Sequence, residues 1–277
     1  MPLSNLNNEQ HSSATAILGH NLTIASAGTG KTSTIVGRIG HLLHSGVKPE
    51  QILLLTFTNK AAAEMIERVA KFFDETTAKS IVSGTFHSVS YKLLKKSAKP
   101  ITLKQPNELK TLFKSVYEKR VFVNQTDVKP YDGGYLYDMY SLYLNSSYDE
   151  DFDTWMGNKN EDQKQYTLIY EDVIVEFNKL KKQYGYVNFD DLLTNMLELQ
   201  KETTYDFVEI LVDEYQDTNP LQGKLLDGFK PKSLFCVGDY DQSIYAFNGS
   251  DINIISSFEK RKIRNFPFAF SIQTFQF

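Results

Sequence analysis

Cysteine is nearly missing from this chain. Cys236 is the one example in 277 residues, which excludes a disulfide framework and a cysteine-based metal site. It stands in the apolar run Leu234–Gly238 and reads as a small packed hydrophobe. An excess of either charge is missing too. The net charge of -4 leaves no global basic field, so any nucleic-acid surface has to be local. No apolar run approaches the length of a membrane span. The first ten residues are polar, with neither a signal core nor Arg-rich transit character. These absences lead us to expect no membrane contact and a cytoplasmic location. Internal repeats and long low-complexity segments are absent, and the single tryptophan, Trp155, reads as a packing residue.

What is present fits a globular protein with a real core: 41% hydrophobic and 23% charged residues. Leu22–Ala25 is a short apolar run that ends in a Gly-rich turn. Lys31 then opens a helical stretch to about His44, with Ile35, Ile39, Leu42 and Leu43 on one face. Ile52–Phe57 reads as a buried strand, Asn59–Phe73 as a helix, and Ile81–Thr85, Ile210–Asp213 and Leu234–Gly238 as further strands. Continuous apolar strands alternating with amphipathic helices predict a parallel sheet covered on both faces. Ligands of such α/β sheets sit at the carboxyl ends of the strands. Between Val89 and Tyr184 the patterning is helical without a strong strand. Lys92, Lys95, Lys96 and Lys99 there read as a solvated helix face with a second use as phosphate contacts.

Three segments carry chemistry. Ala25–Thr32, ASAGTGKT, is a loop between strand and helix, where backbone N–H groups and a helix N-terminus meet an anion. Its candidate nucleotide contacts are Ala25, Ser26, Ala27, Gly28, Thr29, Gly30, Lys31 and Thr32. Gly28 and Gly30 allow close backbone approach. Lys31 reaches for phosphates, and the Thr32 hydroxyl is a candidate Mg²⁺ ligand. In Ile210–Asp217, ILVDEYQD, a strand runs directly into two carboxylates. Asp213 is the second candidate Mg²⁺ ligand, and Glu214 is placed to orient an attacking water. In Val237–Ser250 a third strand ends in Asp239, followed by Asp241 and Gln242. Gln242 is a candidate sensor of the γ-phosphate, and Tyr245 and Phe247 offer faces on which bases stack. ATP and Mg²⁺ are the implied ligands.

These segments, in this order, resemble the UvrD/Rep/PcrA family of superfamily 1 DNA helicases. Leu6–Gln10 resembles the family's glutamine motif, which implies that Gln10 reads the adenine edge. Leu54–Met65 and Gly84–Ser88 resemble its DNA-side motifs, implying that Phe57, Thr58, Asn59, Thr85, Phe86 and His87 approach single-stranded DNA. Asn188–Leu193 resembles the segment that returns from a helical insertion, although Asp190 and Asp191 also read simply as helix-start residues. The resemblance implies a RecA-like P-loop NTPase, α/β in class, with residues 1–88 and 185–261 forming the ATP-binding domain and 89–184 a mostly helical insertion. It further implies ATP-driven 3′ to 5′ translocation on single-stranded DNA, or on duplex with a single-stranded 3′ tail.

The chain departs from the family in two places. Phe247 and Asn248 stand where a tryptophan and an arginine are usual, and the asparagine loses a cation. Residues 262–277 form an atypical aromatic tail with Phe266, Phe268, Phe270, Phe275 and Phe277, partly alternating like a half-buried strand. The family's second RecA-like domain, with the arginines that complete the ATP site, is not in this sequence. The expectation is that a frameshift or early stop precedes the tail, or that a separate chain carries the second half. An ATP- and DNA-binding module without motor activity is the competing reading.

Overall fold

The computed structural model describes residues 2–26, 28–97, 101–120, 128–146, 150–239 and 258, together with the backbone of 270–275. Its centre is a six-stranded parallel sheet. The strands are β1 His20–Ala25, β2 Ile52–Leu55, β3 Val82–Gly84, β6 Glu209–Val212, β7 Ser233–Gly238 and β8 Phe270–Phe275. Their order across the sheet is β3-β2-β6-β7-β1-β8, and every pairing is parallel. This agrees with the predicted α/β architecture. Part of the segment that the sequence set apart as a tail therefore belongs to the sheet, since His20 to Ala25 pair with Phe270 to Phe275.

Side chains alternate between the two faces of the sheet. Leu53, Leu55, Ile210, Val212, Leu234 and Cys236 enter one apolar cluster. Ile52, Leu54, Leu211, Phe235 and Val237 enter the other. The period-2 geometry of a strand sends neighbours to opposite faces, so strands buried on both sides must be apolar throughout. The first face is covered by α5 Phe86–Lys96, α10 Phe189–Glu202 and α11 Pro220–Gly228. The second is covered by α2 Lys31–His44, α3 Asn59–Ala70 and α4 Glu75–Ser80. A short helix, α1 Asn8–Ala14, packs against α2.

A third apolar cluster lies in the middle of the chain. It is built by α6 Pro106–Arg120, α7 Gly133–Ser146, α8 Phe152–Lys159 and α9 Thr167–Tyr184. Phe113 and Phe177 pack edge-to-face at its centre, and Trp155 is 2% exposed. Val89 and Leu94 of α5 belong instead to the sheet core, so packing draws the insertion's own core from α6 onward. A two-residue parallel ladder, β4 Thr102–Leu103 with β5 Tyr186–Val187, joins the insertion's two chain crossings.

Strand β2 ends two residues short of the sequence expectation. Thr56 leaves the ladder with β6: its N–H donates to Gly84 O and its hydroxyl donates to Thr58 O. Phe57 consequently swings out to 48% exposure. The buried Arg38–Glu209 pair also escaped the sequence reading. Both side chains have no exposure, and the guanidinium meets the carboxylate through two N–H bonds of 2.7 Å. Among the described residues no helix is long and apolar enough to cross a membrane.

Candidate active site at the carboxyl ends of the sheet

The phosphate loop follows from β1 directly. Gly28 and Gly30 have φ of +78° and +86°, a region that L side chains enter only at a cost. Gly30 caps α2 in the left-handed conformation, and the α2 N-terminus opens onto the loop. A Cβ on Gly30 would come within 2.4 Å of Gln10 Nε2. The close approach has a purpose in the packing, because Gln10 Nε2 donates to Thr29 O at 2.8 Å. The other end of the same amide closes the capping box of α1, where Gln10 Oε1 accepts from Asn7 N. Gln10 thus touches the loop that the sequence assigned to phosphate. Ser26 O accepts from the Thr29 hydroxyl at 2.7 Å, which tightens the turn.

The acidic turn meets this loop. Lys31 Nζ lies 2.9 Å from Glu214 Oε2, joining residues 183 positions apart in sequence. Glu214 adopts φ 51° and ψ 49°. A left-handed backbone at a non-glycine residue costs on the order of 1–2 kcal/mol, and such strain concentrates at functional sites. Gln216 supports the turn from beneath: its Nε2 donates to Glu214 Oε2 at 2.8 Å, and its Oε1 accepts from Asp239 N at 2.9 Å. One amide therefore ties the ends of β6 and β7 together. Nothing in the local sequence pattern marks this role for Gln216.

The carboxylates sit in an environment that resists charge. Burial first, and the neighbouring Glu214 second, push Asp213 up to about 6, with Lys31 opposing. Asp217 is pushed up to about 6 for the same reasons in the same order. Asp217 Oδ1 is buried with no hydrogen-bond partner among the described residues. A cation beside Asp213 would relieve this charge crowding. No group of three or more His, Cys, Asp or Glu among the described residues is arranged to hold a metal. Mg²⁺ needs only one or two protein oxygens and completes its shell with phosphate and water. Asp213 follows β6 and Thr32 is the second residue of α2, and both remain candidate ligands for such a site.

Four of the DNA-side candidates line a cavity of about 500 Å³ beside the acidic turn. Phe57, Thr85, Phe86, His87 and Phe189 line part of it, and Asp213, Glu214 and Asp217 another part. Thr58 and Thr85 cap α3 and α5, each side-chain oxygen accepting a backbone N–H. Asn59 Oδ1 accepts from Thr85 N at 3.4 Å, which links the two caps. Phe86 is 9% exposed and sits mostly in the sheet core. His87 packs edge-on against Phe189 at 5.8 Å, and burial lowers its pKa against the pull of Asp190. The paired acids of α10 have separate tasks. Asp191 closes the helix capping box with Asn188, whereas Asp190 accepts from Ser141 and Asn145 of the insertion. Ala27, Gln242, Tyr245 and Phe247 lie outside the described residues.

The chain is similar to several known proteins. The chain is 33% identical over 282 residues to the putative ATP-dependent DNA helicase YjcD of Bacillus subtilis, covering 94% of this chain and 35% of that one. It is 32% identical over 271 residues to the ATP-dependent DNA helicase PcrA of Leuconostoc citreum, with 92% and 35% covered. It is 31% identical over 266 residues to the ATP-dependent DNA helicase UvrD1 of Mycobacterium leprae, with 86% and 33% covered. The chain thus spans about a third of the length of the curated relatives it matches. Residues 6–263 match the model of the UvrD/REP helicase N-terminal domain, a stretch that contains the phosphate loop, the acidic turn and the DNA-side caps, and the chain belongs to that family.

Proposed function

We propose that this chain is the ATP-binding half of a DNA helicase that moves 3′ to 5′ along single-stranded DNA, or along duplex with a single-stranded 3′ tail. The observation that carries the reading is the Lys31–Glu214 contact. It joins a phosphate-binding lysine to a water-orienting carboxylate, and neither has another obvious use at a strand end. On arrival of a triphosphate, Lys31 turns to the phosphates and releases Glu214. Glu214, still held by Gln216, then orients the attacking water. Gln10 exchanges the Thr29 carbonyl for the adenine edge. Thr32 and Asp213 would hold Mg²⁺, which would supply neutralisation of charge on the transferring phosphoryl group. Gln242 senses the γ-phosphate, while Phe57, Thr85 and His87, with Tyr245 and Phe247, contact DNA.

The resemblance assigns the completing arginines to a second RecA-like domain. An arginine of this kind contributes about 10³–10⁵ in rate where it is present. The competing reading is an ATP- and DNA-binding module without motor activity. Steady-state ATP hydrolysis and fluorescent-nucleotide binding, with and without single-stranded DNA, separate the two. We expect nucleotide binding by the chain, with little DNA-stimulated turnover. Lys31→Ala should raise the nucleotide Kd by about 100-fold, on the scale of a lost charge-assisted contact. Glu214→Gln should bind normally and hydrolyse nothing measurable. Unchanged affinity in Lys31→Ala would sink the nucleotide assignment.

A further inference from the structure

Among the described residues the apolar cluster of the helical insertion is separate from those of the sheet. The cluster around Phe113, Trp155 and Phe177 has no member in common with either sheet cluster. Polar groups bridge the two units instead. Ser141 Oγ of α7 donates to Asp190 Oδ2 at 2.6 Å. Asn145 Nδ2 donates to Asp190 Oδ1 at 2.8 Å, and Asn145 Oδ1 accepts from Asn219 Nδ2 at 3.1 Å. Asn219 is 6% exposed and caps α11, two residues beyond Asp217. A single side-chain amide therefore joins the insertion, the start of α10 and the exit of the acidic turn. Further polar ties join the units: Asn188 Nδ2 donates to Tyr137 Oη at 3.5 Å, and the β4–β5 ladder and the Lys181–Asp191 ion pair lie close to where the chain crosses between them.

We propose that Asn145 is a positioning residue. Held between Asp190 and Asn219, its amide sets the angle at which the insertion stands on the sheet. It thereby sets the separation between the cavity lining from α7 and the lining from the acidic turn. The cavity shows the link directly: Ser141 and Asn145 line it together with Asp213 and Asp217. An apolar interface resists rotation over a whole area. Directional hydrogen bonds hold one angle, and each exchanges with water at a net cost of about 1 kcal/mol. Hinges between packed units lie at a few loop or element-terminal residues, and this clasp grips one such terminus, the start of α10. The inference needs neither nucleotide nor DNA and stands apart from the motor reading.

The test is a spin-label distance measurement between Ala63→Cys on α3 and Glu161→Cys in the insertion. Cys236 is fully buried and escapes labelling. Asn145→Asp keeps the shape of the side chain but sets a carboxylate against Asp190. We expect a broader distance distribution, with the displaced population up about tenfold. Adding Asp190→Asn restores a donor facing an acceptor and leaves Asn219 an oxygen to donate to, so the wild-type distribution should return. A side chain that only fills space would not be rescued by this exchange. Asn219→Ala removes the donor from the other side and should broaden the distribution on its own, whether or not Asn145→Asp folds. The proposal is overturned by a wild-type distribution in Asn219→Ala, or by a double variant no closer to wild type than Asn145→Asp.

Discussion

Two ion pairs stand at opposite ends of the same sheet, and they behave as opposites. At the amino ends Arg38 and Glu209 are fully buried, doubly bonded to each other and surrounded by further acceptors, with Arg38 also donating to Ala14 O and the carboxylate in contact with the Ser233 hydroxyl. At the carboxyl ends Lys31 and Glu214 meet through one contact, with side chains 11% and 30% exposed. Water cannot replace either partner of the first pair. An incoming phosphate can replace one partner of the second. The same chemistry thus serves as a fixed lock where it is desolvated and as an exchangeable contact where it opens onto a cleft.

The largest effect should come from breaking the lock. Arg38→Ala leaves Glu209 buried without its cation and should cost about 3–5 kcal/mol, read by denaturant unfolding at pH 7. A loss below about 1 kcal/mol, the level of an exposed pair, would erase the distinction between the two pairs.

Next in size is the acidic turn itself. The folded-state pKa of Asp213 is raised from 3.8 to about 6. Between those values the folded state binds more protons than the unfolded chain, so stability falls as pH rises through that window. Asp213→Asn removes this cost. It should change Tm little at pH 4 and stabilise the protein by about 1–3 kcal/mol at pH 8. Equal stabilisation at both pH values would show that charge crowding at the site is not the cause.

The smallest effect belongs to the exchangeable pair. Glu214→Gln removes a half-exposed contact and should alter stability by less than about 1 kcal/mol, even where it abolishes turnover. A loss comparable to that of Arg38→Ala would mean that Lys31 and Glu214 are a structural lock as well.

Local signals made much of this molecule legible. Helix α2 runs from Lys31 to His44 as read, because a glycine turn starts it and one apolar face sustains it. The strands of the sheet core were visible as apolar runs, and Cys236 and Trp155 pack as their surroundings suggested. Asn188 and Asp191 announce a capping box within four residues. Their neighbour Asp190 looks identical in sequence, yet its partners Ser141 and Asn145 lie more than forty residues upstream. Phe86 reads as a DNA-side aromatic within its motif, but the α5 face on which it falls turns it largely into the core.

The sequence by itself determined the elements and the chemistry-bearing types at their ends, since strand and helix periods and glycine turns act over a few residues. Only the tertiary structure decided the pairings: Lys31 with Glu214, Arg38 with Glu209, Gln216 with Asp239, and Asn145 with Asp190 and Asn219. Most of these join residues far apart in the chain. A polar side chain carries no mark of the partner that burial will force upon it, because the requirement to satisfy it arises only when the fold removes its water.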